Sequence, residues 1–331
     1  MTSNKRAVLV TGSNGFVGKH LVKYLASRGY TVVASSRTAL ASNDPKVTYA
    51  QVPDLITAFD WRPLLSQCDT VIHLAGIAHK SADEHTYDLV NVKATASIVK
   101  AARESDISQF VFISSIAAQS GPCSEVPLSE EALPKPTNAY GRSKLASEEA
   151  LRAAGVPYTI LRPVVMYGPG EKGNFELIHD IARLPIPLPF GALNAPRSVL
   201  SIDNFNSAVE FVLMDARALG ETIIVSDPAS VGVAEMIVAY RVALGRRPNL
   251  FHVPEKWIKA TLGLVGLTTT WQRLGMPLLA PPAKLLRMGW RPVHTYFSPA
   301  DEETSVGLPV HMHRGSAPRS SVGRSRDGNL M

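Results

Sequence analysis

Cysteine is nearly absent. Cys68 and Cys123 are the only two in 331 residues, far apart and without metal-ligand spacing. That excludes a disulfide framework and a zinc module, and both side chains read as reduced thiols of a cytosolic protein. Long apolar runs are missing too. Ala260 to Trp271, the longest charge-free apolar stretch of the second half, is too short to span a bilayer and contains threonines. The formal charge of +6 is modest and not gathered into a basic stripe, so no nucleic-acid partner is expected, whereas an anionic small ligand suits it. Met1-Thr-Ser-Asn-Lys-Arg6 runs straight into a strand and leaves no room for a signal peptide. These absences predict a soluble, cytoplasmic protein with no membrane partner and no metal.

What is present is ordinary in bulk and specific in detail. A hydrophobic fraction of 45% and a charged fraction of 19% fit a soluble globular chain, long enough for one large domain or two smaller ones. Ala7 to Val10 is a β-branched apolar run that reads as a buried parallel strand. It enters three glycines spaced three apart, Gly12, Gly15 and Gly18, and then the helix-periodic stretch Lys19 to Ala26. Strand, glycine turn and helix in that order make an anion site, because the helix's first N–H groups and its positive end point over the turn. Gly12 permits the turn, Gly15 lets backbone approach a pyrophosphate, and Gly18 lets the helix pack close. The alternative, a glycine-rich corner with no ligand, is disfavoured by the flanking strand and helix.

The second strand is predicted at Tyr30 to Ser35. Where an acid would bind a ribose 2′-hydroxyl, the chain has Ser35, Ser36 and Arg37. A missing carboxylate followed by a guanidinium favours a 2′-phosphate, hence NADP over NAD; the alternative is a solvated loop arginine. Residues 47 to 52 read as a third strand, with Asp54-Leu55 placed to reach an adenine amine. Thr70 to Gly76 is a fourth strand ending in Leu74, Ala75 and Gly76, small enough to let a cofactor lie across it; His73 within it reads as a core histidine. A helix carrying Asn91 follows. The fifth strand, Gln109 to Ile113, ends in Ser114-Ser115, and a Pro-rich loop, 121–136, leads to a helix from Asn138. Tyr158 to Arg162 is a sixth strand, broken by Pro163. This alternation predicts an α/β fold with a doubly wound parallel sheet over residues 1–170, to which 201–228 return. Residues 171–200 and 229–298 are expected to form a smaller substrate lobe, and 299–331, rich in Ser, Gly, Arg and Pro, to be a disordered tail.

Tyr140 and Lys144 lie four residues apart on the predicted helix, so their side chains share a face. A free phenol titrates near ~10, too high for a base at neutral pH, and an ammonium one turn away is expected to lower it. With Ser115 at the mouth of the fifth strand, the pair can move a proton to or from one substrate oxygen. A Tyr-x-x-x-Lys match alone is common on surface helices. Its weight comes from the order: glycine turn, hydroxyl at a strand end, then the pair.

Thr11-Gly12-x-x-Gly15-x-x-Gly18, Asp54-Leu55, His73-Leu-Ala-Gly76, Ser114-Ser115, Tyr140-x-x-x-Lys144, Arg162-Pro163 and Tyr167-Gly-Pro-Gly170 together resemble the extended short-chain dehydrogenase/reductases, in their NAD-dependent epimerase/dehydratase branch. The resemblance covers about residues 6 to 298 and implies a Rossmann domain with a C-terminal substrate lobe. It implies Tyr140 as acid/base, Lys144 on the nicotinamide ribose, and Ser115 on the reacting oxygen. The implied cofactor contacts are Gly12, Asn14, Gly15, Phe16, Val17, Gly18, Ser36, Arg37, Asp54, Leu55, Leu74, Ala75, Gly76, Asn91, Tyr140, Lys144 and Pro163, for NADP or NAD. A nucleotide-sugar substrate would meet Ser115, Asn174 and Arg197, and a homodimer is expected. The tract Tyr167 to Phe175 with Pro185 to Gly191 and Arg197-Ser198 more narrowly resembles bacterial 4-ketoreductases of UDP-N-acetyl-6-deoxyhexoses that serve polysaccharide biosynthesis.

Three departures refine this. Ile116-Ala117 follow Ser115 in place of the acidic pair of 4,6-dehydratases. Ser36-Arg37 replace the acid that helps 4-epimerases retain NAD. The segment after 298 does not resemble the family's terminal helix. The leading expectation is therefore reduction of an NDP-4-keto-6-deoxyhexose. The alternatives are a UDP-hexose 4-epimerase with retained NAD, a non-catalytic dinucleotide-binding regulator, and a steroid- or flavonoid-type reductase.

Overall fold

The computed structural model describes residues 7–78, 82–171, 173–264 and 266–297. Its strands in chain order are β1 (Ala7–Thr11), β2 (Thr31–Ser36), β3 (Val47–Gln51), β4 (Thr70–His73), β5 (Gln109–Ile113), β6 (Tyr158–Pro163), β7 (Met166–Tyr167), β8 (Arg197–Ser198), β9 (Leu200–Ser201), β10 (Thr222–Val225) and β11 (Ser230–Val231). Seven of them form one parallel sheet in the order β10-β6-β5-β4-β1-β2-β3. The strands are apolar almost throughout because both faces are covered. Val8 and Val10 pack against Leu21, Phe205 and Val209 on one side. Leu9, between them, packs with Ile98 and Leu151 on the other. The strand's period of two thus assigns the helices Phe16–Ser27 and Ile202–Met214 to one face, and Ala94–Arg103 and Ala139–Ala153 to the opposite one.

This is the doubly wound Rossmann arrangement that the alternating motifs predict. Strand order reverses between β1 and β4, whose ends meet at the pair Thr11 and His73. Ligands in such sheets bind at that switch point, outside the carboxyl ends of the strands. Pro163 ends β6 and is paired in register with Val225. The β10 edge is closed by side chains: Ile224 N donates to Glu130 Oε1 at 2.9 Å, and Lys284 Nζ donates to Thr222 O at 3.0 Å. An edge so covered offers no free ladder to another strand.

The second part has its own core. Tyr167, Phe175, Ile178, Val199, Met236, Ile237 and Tyr240 pack together, with β8 and β11 antiparallel beside them and β7 paired to β9. The chain returns to the sheet more than the expected boundary at 228 implies. Leu278, Ala280, Leu285 and Trp290 are buried in the same cluster as Val111 and Phe205. Trp290 carries the return, with Nε1 donating to Ser207 Oγ at 3.2 Å. No helix among the described residues is long and apolar enough to cross a membrane. The expected disordered tail, 299–331, lies outside the described residues.

Candidate dinucleotide and substrate site

Gly12 takes a left-handed φ of 69°, and a Cβ there would lie 2.9 Å from both Cα and N of Ala75. A side chain at Gly18 would lie 2.3 Å from Gly12 O, so the helix can start hard against the turn only without one. Gly15 is the helix N-cap and supplies no side-chain cap, which leaves the first-turn N–H groups of Phe16 and Val17 to a bound anion. The side chains of Phe16 and Val17 pack on the core behind the turn. Thr11 fixes the facing strand. Its Oγ1 accepts from Leu74 N and Ala75 N, both at 3.2 Å, and lies 2.8 Å from His73 Nδ1. With both lone pairs used, the Thr11 hydroxyl donates to Nδ1, so the ring proton sits on Nε2 and goes to Thr95 Oγ1 at 3.1 Å. Burial, with Lys144 nearby, pushes His73 down to about 3. It is a neutral core histidine.

A cleft of about 360 Å³ opens over the switch point. Its walls include Gly12, Asn14, Gly15, Ser36, Arg37, Asp54, Leu55, Leu74, Ala75 and Gly76. The structure therefore brings together, around one cavity, most of the cofactor contacts predicted from sequence. The donor set fits a dinucleotide: bare backbone at the glycine turn, apolar walls at Val52 and Leu55, and one buried hydroxyl, Ser35 Oγ, without a hydrogen-bond partner among the described residues. Arg37 and Asp54 pair with each other at 2.9 Å, and the guanidinium holds the Asp54 carboxyl below the usual range.

Gly76 joins this cleft to the reacting end. A Cβ there would sit 2.8 Å from Asn91 Oδ1 and 3.8 Å from Lys144 Nζ. Asn91, in a single π-helical turn at Asp88–Lys93, is fully engaged within the chain. Its Oδ1 accepts from Ile77 N at 2.8 Å, and its Nδ2 donates to Ile77 O at 3.2 Å and Ser143 Oγ at 2.9 Å. Its amide thus holds the β4 loop in place, where the sequence suggests a direct cofactor contact.

Asn138 caps the helix Ala139–Ala153, its Oδ1 accepting from Gly141 N at 2.7 Å. Ser115 caps the short turn Ile116–Ala118 by accepting from Ala117 N at 3.1 Å. The two caps face each other because Gly141 has no side chain; a Cβ would lie 2.2 Å from Ala117 O. That close approach brings Tyr140 to Ser115. Burial pushes the Tyr140 phenol up to about 12, with the Ser115 hydrogen bond opposing and Tyr87 adding to the rise. The expected lowering by Lys144 is not observed: burial raises the phenol, and the opposing group is Ser115, not Lys144. Lys144 is buried, donates to Ile113 O at 2.9 Å, lies 4.8 Å from the Phe112 ring centroid, and is pushed down to about 8 by burial, with Glu148 opposing.

Behind Lys144 lies a buried ionic network that the motif reading misses. Glu148 receives Arg162 Nε at 2.9 Å and Nη2 at 2.6 Å, Ser114 Oγ at 2.5 Å and Arg152 Nη2 at 2.9 Å. Arg162 Nη1 also donates to Gln119. The available signal is spacing: Tyr140, Lys144 and Glu148 recur every four residues on one helical face.

Arg197, expected from the sequence to meet the substrate, is buried, and no carboxylate pairs with it among the described residues. Its fork donates to Pro122 O at 3.0 Å, Gln272 O at 3.4 Å and Met276 O, and burial pushes it down to about 10. Asn174 opens the helix Asn174–Arg183, and its side chain lies outside the described residues. No group of three or more His, Cys, Asp or Glu among the described residues is placed to hold a metal.

The model of the NAD dependent epimerase/dehydratase family matches residues 8–225, which is most of the sheet and both motif helices. The chain belongs to this family. Among relatives of the family's fold, a UDP-glucose 4-epimerase of Vibrio cholerae is 30% identical over 302 residues, covering 88% of this chain and 92% of that protein. A ceramide reductase of Caulobacter vibrioides is 28% identical over 304 residues, covering 88% and 87%. The structure of UDP-glucuronic acid 4-epimerase from Bacillus cereus in complex with NAD superposes with a TM-score of 0.69 at 21% identity, covering 87% of this chain and 92% of that one.

Proposed function

We propose that this chain is an NAD(P)-dependent oxidoreductase acting at C4 of a nucleotide-linked sugar, and that it reduces a 4-keto-6-deoxyhexose of the UDP-N-acetyl type. The observation that carries the reading is the close approach at Gly141, which sets Tyr140 beside the Ser115 hydroxyl; the phenol, pushed up to about 12, is protonated at neutral pH and can donate to an oxygen held there. Gly12, Ala75 and Gly76 would hold a nicotinamide dinucleotide, which in its reduced form would supply the hydride. Ser115 donates to the ketone oxygen and fixes its position. Tyr140 gives that oxygen its proton as the carbonyl becomes an alcohol. Lys144, whose Nζ lies near Gly76, would bind the nicotinamide ribose. Arg197 offers an uncompensated fork suited to a diphosphate, once its carbonyl contacts give way.

The turn after Ser115 supports reduction over elimination. Ile116 is buried and Ala117 gives its N–H to the Ser115 cap, so no carboxylate stands there to expel water. A second reading, a UDP-hexose 4-epimerase, has the Vibrio cholerae relative in its favour. It uses the same groups, first removing and then restoring the C4 hydrogen, with no net consumption of cofactor.

Purified protein mixed with NADPH or NADH and a UDP-4-keto-6-deoxy-N-acetylhexosamine, followed by nicotinamide absorbance and product NMR, tests the reading. Stoichiometric oxidation with one C4 epimer formed is expected, and Tyr140→Phe should abolish it. Interconversion of UDP-hexoses without net oxidation would replace it with the epimerase. If Arg197→Ala leaves UDP affinity unchanged in calorimetry, the nucleotide-sugar substrate is wrong.

A further inference from the structure

One corner of the cleft holds an ion pair in an otherwise donor-rich wall. Arg37, the residue after β2, reaches Asp54 through a single contact, Nη1 to Oδ2 at 2.9 Å, with side chains 72% and 47% exposed. Hydroxyls stand next to it. Thr38 N donates to Ser36 Oγ at 3.2 Å, and Asn14 Nδ2 donates to Thr38 Oγ1 at 3.2 Å. Ser35 Oγ, buried and lining the same cleft, has no hydrogen-bond partner among the described residues, an arrangement that is costly unless a ligand completes it. Among the described residues Asp54 is the one carboxylate on this wall, and it pairs with the one guanidinium.

We infer that Asp54 and the 2′-phosphate of NADP compete for Arg37, so that this ion pair sets how far the protein discriminates between NADP and NAD. The inference rests on the reading of the cleft as a dinucleotide site. An exposed, single-contact pair is weak, so a phosphate dianion can displace the carboxylate from Arg37. Asp54 stays close enough after displacement to repel the dianion, which limits the gain. NAD, with a neutral 2′-hydroxyl, leaves the pair intact and strands no charge. Both dinucleotides should therefore bind the wild-type protein within about tenfold of each other. Asp54→Asn keeps the shape, frees Arg37 and removes the repulsion. Both ligands carry the same adenine, so a change in how the variant holds that base cancels in their ratio.

Calorimetric titration of the full chain with NADP⁺ and with NAD⁺, without sugar substrate, tests this on wild type, Asp54→Asn, Arg37→Ala and the double variant. Asp54→Asn should raise the NADP⁺ to NAD⁺ affinity ratio about tenfold, and Asp54→Ser should move it the same way. The double variant should fall back to the ratio of Arg37→Ala. A ratio for Asp54→Asn within about twofold of wild type, smaller than the two charge effects together, overturns the competition, as does a rise that persists without Arg37. No turnover is read, so failure of the C4 assignment leaves this result standing, and failure here leaves that assignment untouched.

Discussion

Replacing Glu148 with glutamine is the sharpest test of the ionic network behind the site. The carboxylate is 0% exposed and its partner Arg162 is 2% exposed, so neither can turn to water. Glutamine's oxygen can still accept from Arg162 Nε and Ser114 Oγ. Its NH₂ then faces Arg162 Nη2 and Arg152 Nη2, donor against donor, where the native oxygen accepts both. The guanidinium of Arg162 is left buried and uncompensated, for which removal of one partner typically costs about 3–5 kcal/mol. Arg152, 34% exposed on the rim, contributes much less, and Arg152→Ala should cost under about 1 kcal/mol. Urea denaturation followed by circular dichroism reads these values from the midpoint and slope. Glu148→Met with Arg162→Met should recover much of the loss, since a packed apolar pair can replace a buried ionic one. Glu148 also raises the pKa of Lys144, so Glu148→Gln should carry it below about 8 and move the alkaline limb of kcat/KM to lower pH. A loss under about 1 kcal/mol, or a double variant no better than the single, would refute the account.

Gly141→Ala places a methyl 2.2 Å from Ala117 O, so the helix start must shift away from Ser115. Activity should fall about a hundredfold or more in kcat, for a stability loss of about 1–3 kcal/mol read by thermal melting. Lys144 titrates at about 8 when folded against an ordinary 10.5, so between those values the unfolded chain binds more protons. Its contribution is present above the ordinary value and lost as pH falls to about 8; the unfolding free energy from urea titrations should climb over that window by up to about 3 kcal/mol, and Lys144→Met should flatten the climb. Trp290→Ala empties a 2% exposed site in the sheet cluster and removes the bond to Ser207, an expected cost of about 3–5 kcal/mol in the same urea assay.

What can be read from the sequence, and what cannot, divides along chain distance. The glycine turn, the hydroxyl at the end of β5 and the Tyr140–Lys144 spacing are local: their backbone geometry follows from a few adjacent residues, and strand–helix alternation does the rest. Where each cofactor-facing residue spends its hydrogen bonds is not local. Arg37 meets Asp54 across 17 positions, Asn91 meets Ser143 across 52, and Arg197 meets Met276 across 79. Each residue type is legible as polar and well placed, but its partner is not, and the partner decides whether the side chain is free for a ligand. The Tyr140 pKa departs from the motif for a related reason. Spacing gives the neighbouring ammonium, while desolvation depends on everything packed over the pair, including Tyr87 on the helical segment before Asn91. Gly141 is informative on the same grounds. A glycine in the first turn of a helix lowers helix propensity, and it is tolerated here because Ala117 O occupies the space where a Cβ would be. A residue that breaks a local rule marks the contact that assembles Ser115 with Tyr140.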